Sequence, residues 1–279
     1  MCAQIPTKPM YTAISKAQCI SPTSAPTMVN RWTPAPSMST VRTNCAAVVS
    51  HGKIYVFGGA KDKSAECFDP TTRAWKPIAD MLHKKGWMPA VAVGTDIYVL
   101  GGYSGDTSTY LKSVERYSVV SNKWAAAKDM TAARAAFAAT TNNGIIYVMG
   151  GGYGAVCLAI AEMFNPRTNS WSPLTQMPTP RRYFSSIAIS DSIYVFGGMH
   201  PDPKDSKKTV YPGRVHAFNT TSLTWKNITT QPIARCGLST VVLRNTIYVM
   251  GGSDATNTFR SVSALILAYL MPSGCLAHT

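Results

Sequence analysis

Acidic residues are scarce in this chain. Only 13 Asp and Glu stand against 27 Lys and Arg in 279 residues, a formal net charge of +14, and charged residues make up 14% of the whole. A usual globular domain carries about a quarter, so a large core under a lightly charged surface is expected, and the excess of cations favours acidic partners by long-range steering. Long apolar runs are missing as well. The longest, 264–271, has eight residues, short of the roughly 18 that a membrane-spanning helix needs. The first residues contain no continuous apolar stretch of the secretory kind, and a soluble cytoplasmic protein is the expectation. The seven cysteines are odd in number and never spaced C-x-x-C, which argues against a disulfide framework and a zinc site. P-loop, G-x-S-x-G, H-E-x-x-H and dinucleotide fingerprints do not occur. His51, His83, His200, His216 and His278 fall at unrelated places in the repeat described next. No metal, cofactor or catalytic residue is therefore expected, and the chain reads as a non-enzyme.

What the chain does have is one motif five times over. Ile-Tyr-Val-x-Gly-Gly ends at Gly58-Gly59, Gly101-Gly102, Gly150-Gly151, Gly197-Gly198 and Gly251-Gly252. From Trp32, Trp75, Trp124, Trp171 and Trp225 to the first glycine of the following pair the interval is always 26 residues, whereas the stretch from the pair to the next Trp varies from 17 to 28. A constant half is scaffold and a variable half carries loops, where function concentrates. Within the constant half, small and apolar residues such as Ala46 to Val49 run into a polar turn and then a β-branched, aromatic run, which is a hairpin. Ala92, Ala138, Ala139, Ser185 and Ser186 suit a strand beside a crowded centre. The Gly pair should end the second strand, where a Cβ is not tolerated. An aromatic seven residues before each later Trp (Phe68, Tyr117, Phe164, Phe218) closes a third strand, turn formers follow, and the Trp opens a fourth. Four short antiparallel strands per unit specify a propeller blade, and the chain is read as all-β.

These residues resemble the kelch motif: the Gly pair, the preceding tyrosines Tyr55, Tyr98, Tyr147, Tyr194 and Tyr248, the spaced aromatic and Trp, Met38, Met81, Met130 and Met177 six after the Trp, and a basic residue ten after it. The glycines, tyrosines and tryptophans are read as scaffold. The resemblance covers about 30–265 and is closest to kelch-like proteins that present substrates to cullin-RING ubiquitin ligases. Their BTB and BACK domains have no counterpart in this chain, which by this reading could bind a substrate without recruiting the ligase. Actin or cytoskeletal binding is the alternative that the resemblance also allows. Some propellers of this type are enzymes, a copper-radical oxidase and sugar mutarotases among them, but no ligand set of the former is reproduced here.

The expected division is a flexible lead over 1–27, rich in Ser, Thr and Pro, a propeller over 28–265 and an atypical tail over 266–279. The ends are partial units. Val29 to Trp32 reads as a fourth strand with no first three, while the fifth unit has Pro272 in place of its Trp. Two readings stay open. Either the partial units complete one another and close a five-bladed ring, removing two exposed edges, or the array is part of a six-bladed ring.

For a binding face, the basic residue ten after each Trp recurs as Arg42, Lys85, Arg134, Arg181 and Arg235, at the start of the innermost strand. The five should ring one mouth of the channel. The resemblance implies that arginines at this position bind acidic peptide segments, for which a guanidinium fork is well shaped. The competing expectation is that each holds a loop or carbonyl of its own blade. The longest variable loop, 199–214, adds Lys204, Lys207, Lys208, Tyr211 and Arg214. Because the basic residues are scattered through turns, a protein partner with an acidic segment is expected rather than nucleic acid.

Overall fold

The computed structural model describes residues 34–59, 62–243 and 246–266, and within them five antiparallel sheets follow one another along the chain. Blade I comprises β1 (Ala46–Ser50), β2 (Lys53–Gly59), β3 (Asp62–Asp69) and β4 (Ala74–Ile78). Blade II comprises β5 (Ala90–Val93), β6 (Asp96–Ser104), β7 (Thr109–Ser118) and β8 (Lys123–Ala127). Blade III comprises β9 (Ala138–Asn142), β10 (Ile145–Met149), a small hairpin of β11 (Gly152–Tyr153) and β12 (Val156–Cys157), then β13 (Ala161–Asn165) and β14 (Ser170–Leu174). Blade IV comprises β15 (Arg182–Ile189), β16 (Ser192–Pro201), β17 (Thr209–Val210), β18 (Arg214–Asn219) and β19 (Thr224–Thr230). Blade V contributes β20 (Ser239–Leu243), β21 (Thr246–Met250) and β22 (Val262–Ile266). The chain is a five-bladed β-propeller with no helix among the described residues.

The repeat spacing acquires a direct meaning in the sheet register. Each third-strand aromatic and the Trp seven residues later are cross-strand partners: Phe68 with Trp75, Tyr117 with Trp124, Phe164 with Trp171 and Phe218 with Trp225. Their ring centroids lie 5.1, 5.1, 4.9 and 5.2 Å apart, favourable aromatic geometry on a pleated surface. The tryptophans are only half-buried because their indoles reach sideways. Trp124 Nε1 donates to Ala79 O, Trp171 Nε1 to Lys128 O and Trp225 Nε1 to Thr175 O, at 2.8, 2.8 and 3.0 Å. Every acceptor stands four residues after the preceding repeat's Trp, so each indole ties its blade to the one before. Trp75 Nε1 donates in the same way to Pro36 O. Trp32 and the expected strand at 29–32 lie outside the described residues, as do 1–28 and 267–279.

The Gly pair does not simply end the second strand. In blades I and II the strand runs through it with a register shift, between Phe57 and Gly59 and between Leu100 and Gly102. The first glycine of every pair is left-handed, with φ between 53° and 65°. A Cβ on Gly101 would lie 2.8 Å from the carbonyl oxygen of Arg134 and 2.7 Å from the Met130 methyl, so both conformation and close approach require glycine here.

The innermost strands pack in sequence, β1 on β5, β5 on β9, β9 on β15 and β15 on β20. Their small side chains leave an axial cavity of about 320 Å³ lined by Ala46, Ala90, Ala138, Ala139, Ser185 and Ser186, among others. Between successive blades lie four apolar cores. Tyr55 and Phe57 of blade I, for example, meet Ile97 and Tyr117 of blade II. No fifth core joins blade V to blade I among the described residues. Ile97, Ile146, Ile193 and Ile247, each buried against the preceding blade, are 0% exposed, whereas Ile54 of blade I is 38% exposed.

Candidate functional site

The five motif cations turn inward. The side chains of Arg42, Lys85, Arg134, Arg181 and Arg235 are all 0% exposed, so they do not present a ring to a partner, and the expectation of an open basic mouth is corrected. Four of them donate through Nη1 to the first glycine carbonyl of their own blade: Arg42 to Gly58 O, Arg134 to Gly150 O, Arg181 to Gly197 O and Arg235 to Gly251 O, at 2.9, 3.2, 2.9 and 2.9 Å. Meanwhile the backbone carbonyls of Lys85, Arg134, Arg181 and Arg235 accept the N–H of Gly59, Gly102, Gly151 and Gly198, one blade back. One residue thus links two blades, by its main chain to the preceding one and by its side chain to its own.

A buried cation requires a counter-charge. Three blades supply it at one register position, opposite the Val of the second strand: Glu66 facing Val56, Glu115 facing Val99 and Glu162 facing Val148. Arg42 Nη2 lies 2.9 Å from Glu66 Oε1, Lys85 Nζ 2.9 Å from Glu115 Oε1 and Arg134 Nη2 2.7 Å from Glu162 Oε1. Burial would push the Glu66 carboxyl up, but bonds from the Ser39 hydroxyl and N–H and from Arg42 hold it at about 2. For Lys85 burial dominates and lowers its pKa against the opposing pull of Glu115. The same register position is His216 in blade IV and Ser263 in blade V. These glutamates were not singled out from sequence, although a Glu two residues before the third-strand aromatic recurs three times.

The open mouth is built two residues further along, by Asn44, Trp87, Ala136, Tyr183 and Gly237. All five have positive φ, between 52° and 62°, strain that persists in non-glycine residues only where surrounding structure fixes it. A belt of backbone hydrogen bonds does so: Trp87 N to Asn44 O, Ala136 N to Trp87 O, Tyr183 N to Ala136 O and Gly237 N to Tyr183 O, at 2.9, 2.8, 2.8 and 2.8 Å. All five residues line the axial cavity.

Variable hairpins rise beside this rim, since the residue before each rim position pairs with the start of a hairpin: Gly86 with Tyr103, Ala135 with Gly152, Arg182 with Met199 and Cys236 with Ser253. Aromatics from blades II and III converge there. Trp87 meets Tyr103 at 5.8 Å, Tyr103 meets Tyr110 at 5.1 Å and Tyr110 meets Tyr153 at 5.0 Å between centroids. Tyr153 is 55% exposed. The blade IV hairpin carries Lys204, Lys207 and Lys208 in the open, its turns held by Asp202 and Asp205 accepting from Lys204 N and Lys207 N. Arg214 is exposed at the start of β18, and Tyr211 is partly buried beside it. Among the described residues no group of three His, Cys, Asp or Glu could hold a metal ion, and no helix is long and apolar enough to cross a membrane.

This architecture defines a kelch-type propeller with a built rim and variable hairpins. The chain belongs to the Attractin/LZTR1 beta-propeller family, whose pattern it matches over residues 23–259. Kelch-like protein 23 of Homo sapiens is 35% identical over 96 residues, 34% of this chain and 17% of that protein. Kelch-like protein 35 of Mus musculus is 33% identical over 141 residues, 49% of this chain and 24% of that protein. The matched part is thus a quarter or less of each relative's length. Among solved structures, that of YjhT superimposes with a TM-score of 0.76 over 86% of this chain and 87% of its own, at 14% identity, a likeness of fold.

Proposed function

We propose that this propeller is a protein-interaction module and that its partner docks on the rim and hairpins instead of on the buried cations. The observation that carries this reading is the run of rings from Trp87 on the rim through Tyr103 and Tyr110 of the blade II hairpin to Tyr153 of the blade III hairpin, left partly open to solvent. Aromatics at the centre of a patch with a polar, basic edge are the composition of interaction hot spots. Lys204, Lys207, Lys208 and Arg214, exposed on blade IV, add cations that favour a partner with acidic character. The kelch-like relatives support an interaction module; the finer reading, recognition of substrates for a cullin-RING ubiquitin ligase, rests on the resemblance of the repeats to kelch-like proteins.

Two measurements test this. Proteins co-purifying with the wild-type chain should be lost with the Trp87→Ala, Tyr110→Ala double variant and retained by a variant at Val120, an exposed residue in the turn between the third and fourth strands of blade II. Equal capture by the double variant would remove the rim as the docking face. The captured proteins should also carry less ubiquitin when cullin activation is blocked in cells. Unchanged ubiquitylation would remove the ligase role and leave the interaction module.

A further inference from the structure

We infer that the recess over blade III binds a partner segment in which a carboxylate side chain neighbours an aromatic one. This deepens the interaction reading above and rests on it. Blade III places its smallest residues at the rim, Ala135, Ala136 and Gly152, where blade II sets Trp87 and Tyr103 and blade IV sets Arg182 and Tyr183. The missing bulk opens a cavity of about 360 Å³, within the range of pockets that bury a small ligand.

Two properties of the lining specify the chemistry. First, the recess holds a cation and no acid. Arg182 lines it, with Nη1 donating to Gly154 O at 3.1 Å and the guanidinium carbon 5.8 Å from the centre of the Tyr183 ring. No Asp or Glu contributes to the wall. The Arg182 guanidinium that lines the recess can therefore donate a charge-assisted bond to an arriving carboxylate. Second, the wall facing Arg182 is aromatic. Trp87, Tyr103 and Tyr110 already pack edge to face, and a flat ring from the ligand extends the series. The hydrogen-bonded belt through Trp87, Ala136 and Tyr183 fixes both walls before binding, which limits the ordering cost of association. A net charge of +14 steers an acidic segment toward the chain.

The test is a selection of displayed random short peptides on the full chain, followed by titration of the enriched ones. Enriched peptides should place Asp or Glu beside Phe, Tyr or Trp. Changing that acid to its amide should weaken binding by about tenfold or more, the scale of one charge-assisted contact. Arg182→Gln should erase the difference between acid and amide, and Arg182→Lys should restore part of it. Tyr110→Ala should remove the preference for the ring. Melting curves show that each variant is folded. Enriched peptides without an acid, an acid preference that survives in Arg182→Gln, or no enrichment at all would each overturn the proposal. If co-purifying proteins are still lost with the Trp87→Ala, Tyr110→Ala pair, only the recess has failed. If they too are indifferent, the rim reading has failed with it.

Discussion

Arg181 Nη2 lies 3.2 Å from His216 Nδ1, at the position where blades I to III set a glutamate against the motif cation. The imidazole must stay neutral to accept from the guanidinium. Burial, with Arg181 and Arg214 adding to it, pushes the His216 pKa from 6.5 down to about 4, and burial brings Arg181 itself down to about 10. The unfolded chain takes up a proton near 6.5 that the folded chain refuses until about 4. Stability is therefore lost as the pH falls through that window, by about 3 kcal/mol in all. Urea midpoints measured between pH 7 and 4 should fall for the wild type and stay flatter for His216→Glu, which should also gain about 1–3 kcal/mol at neutral pH by giving Arg181 a counter-charge. Parallel pH profiles would exclude this role for His216.

Arg134→Ala should destabilise the propeller by about 3–5 kcal/mol, because Glu162 would remain buried without its cation. Chemical denaturation measures this. A loss below about 1 kcal/mol, the usual worth of an exposed pair, would contradict the inward placement.

Gly101 and Gly94 separate two glycine effects. Both are left-handed, at φ 53° and 59°, but a Cβ on Gly94 meets nothing within 4 Å whereas one on Gly101 strikes the Arg134 carbonyl at 2.8 Å. Gly94→Ala should cost about 1–2 kcal/mol from conformation alone, and Gly101→Ala clearly more. Equal losses would mean that the junction between blades II and III yields easily.

Ile97 and Ile54 occupy equivalent places in blades II and I, one sealed against the neighbouring blade and the other 38% exposed. Ile97→Ala should cost about 2–5 kcal/mol, and Ile54→Ala no more than about 1 kcal/mol, nearer the behaviour of surface positions. A large loss at Ile54 would show that the face of blade I is covered in solution.

Much of the scaffold was legible in the sequence because it depends on local chemistry. The seven-residue step from Phe164 to Trp171 is a hairpin register, and the small residues Ala138 and Ser185 had to lie near the axis. The direction of the motif cations was harder to read. Arg134 and Ala136 are two residues apart, and only the left-handed turn between strands decides which of them faces the channel. Glu162 was visible, but its pairing with Arg134 follows from strand register across 28 residues. The binding surface was the least legible. Trp87, Tyr110, Tyr153 and Arg182 are separated by turns and whole strands, and only the succession of blades gathers them around Ala136.

The belt of hydrogen bonds through Asn44, Trp87, Ala136, Tyr183 and Gly237 uses main-chain atoms alone. The side chains take no part in the belt, so within what a left-handed backbone tolerates they can vary in size and charge while the backbone that carries them keeps its place. Each blade contributes one interchangeable letter to a fixed frame, so replacing Ala136 with a larger residue should rewrite what the mouth accepts without redrawing its outline.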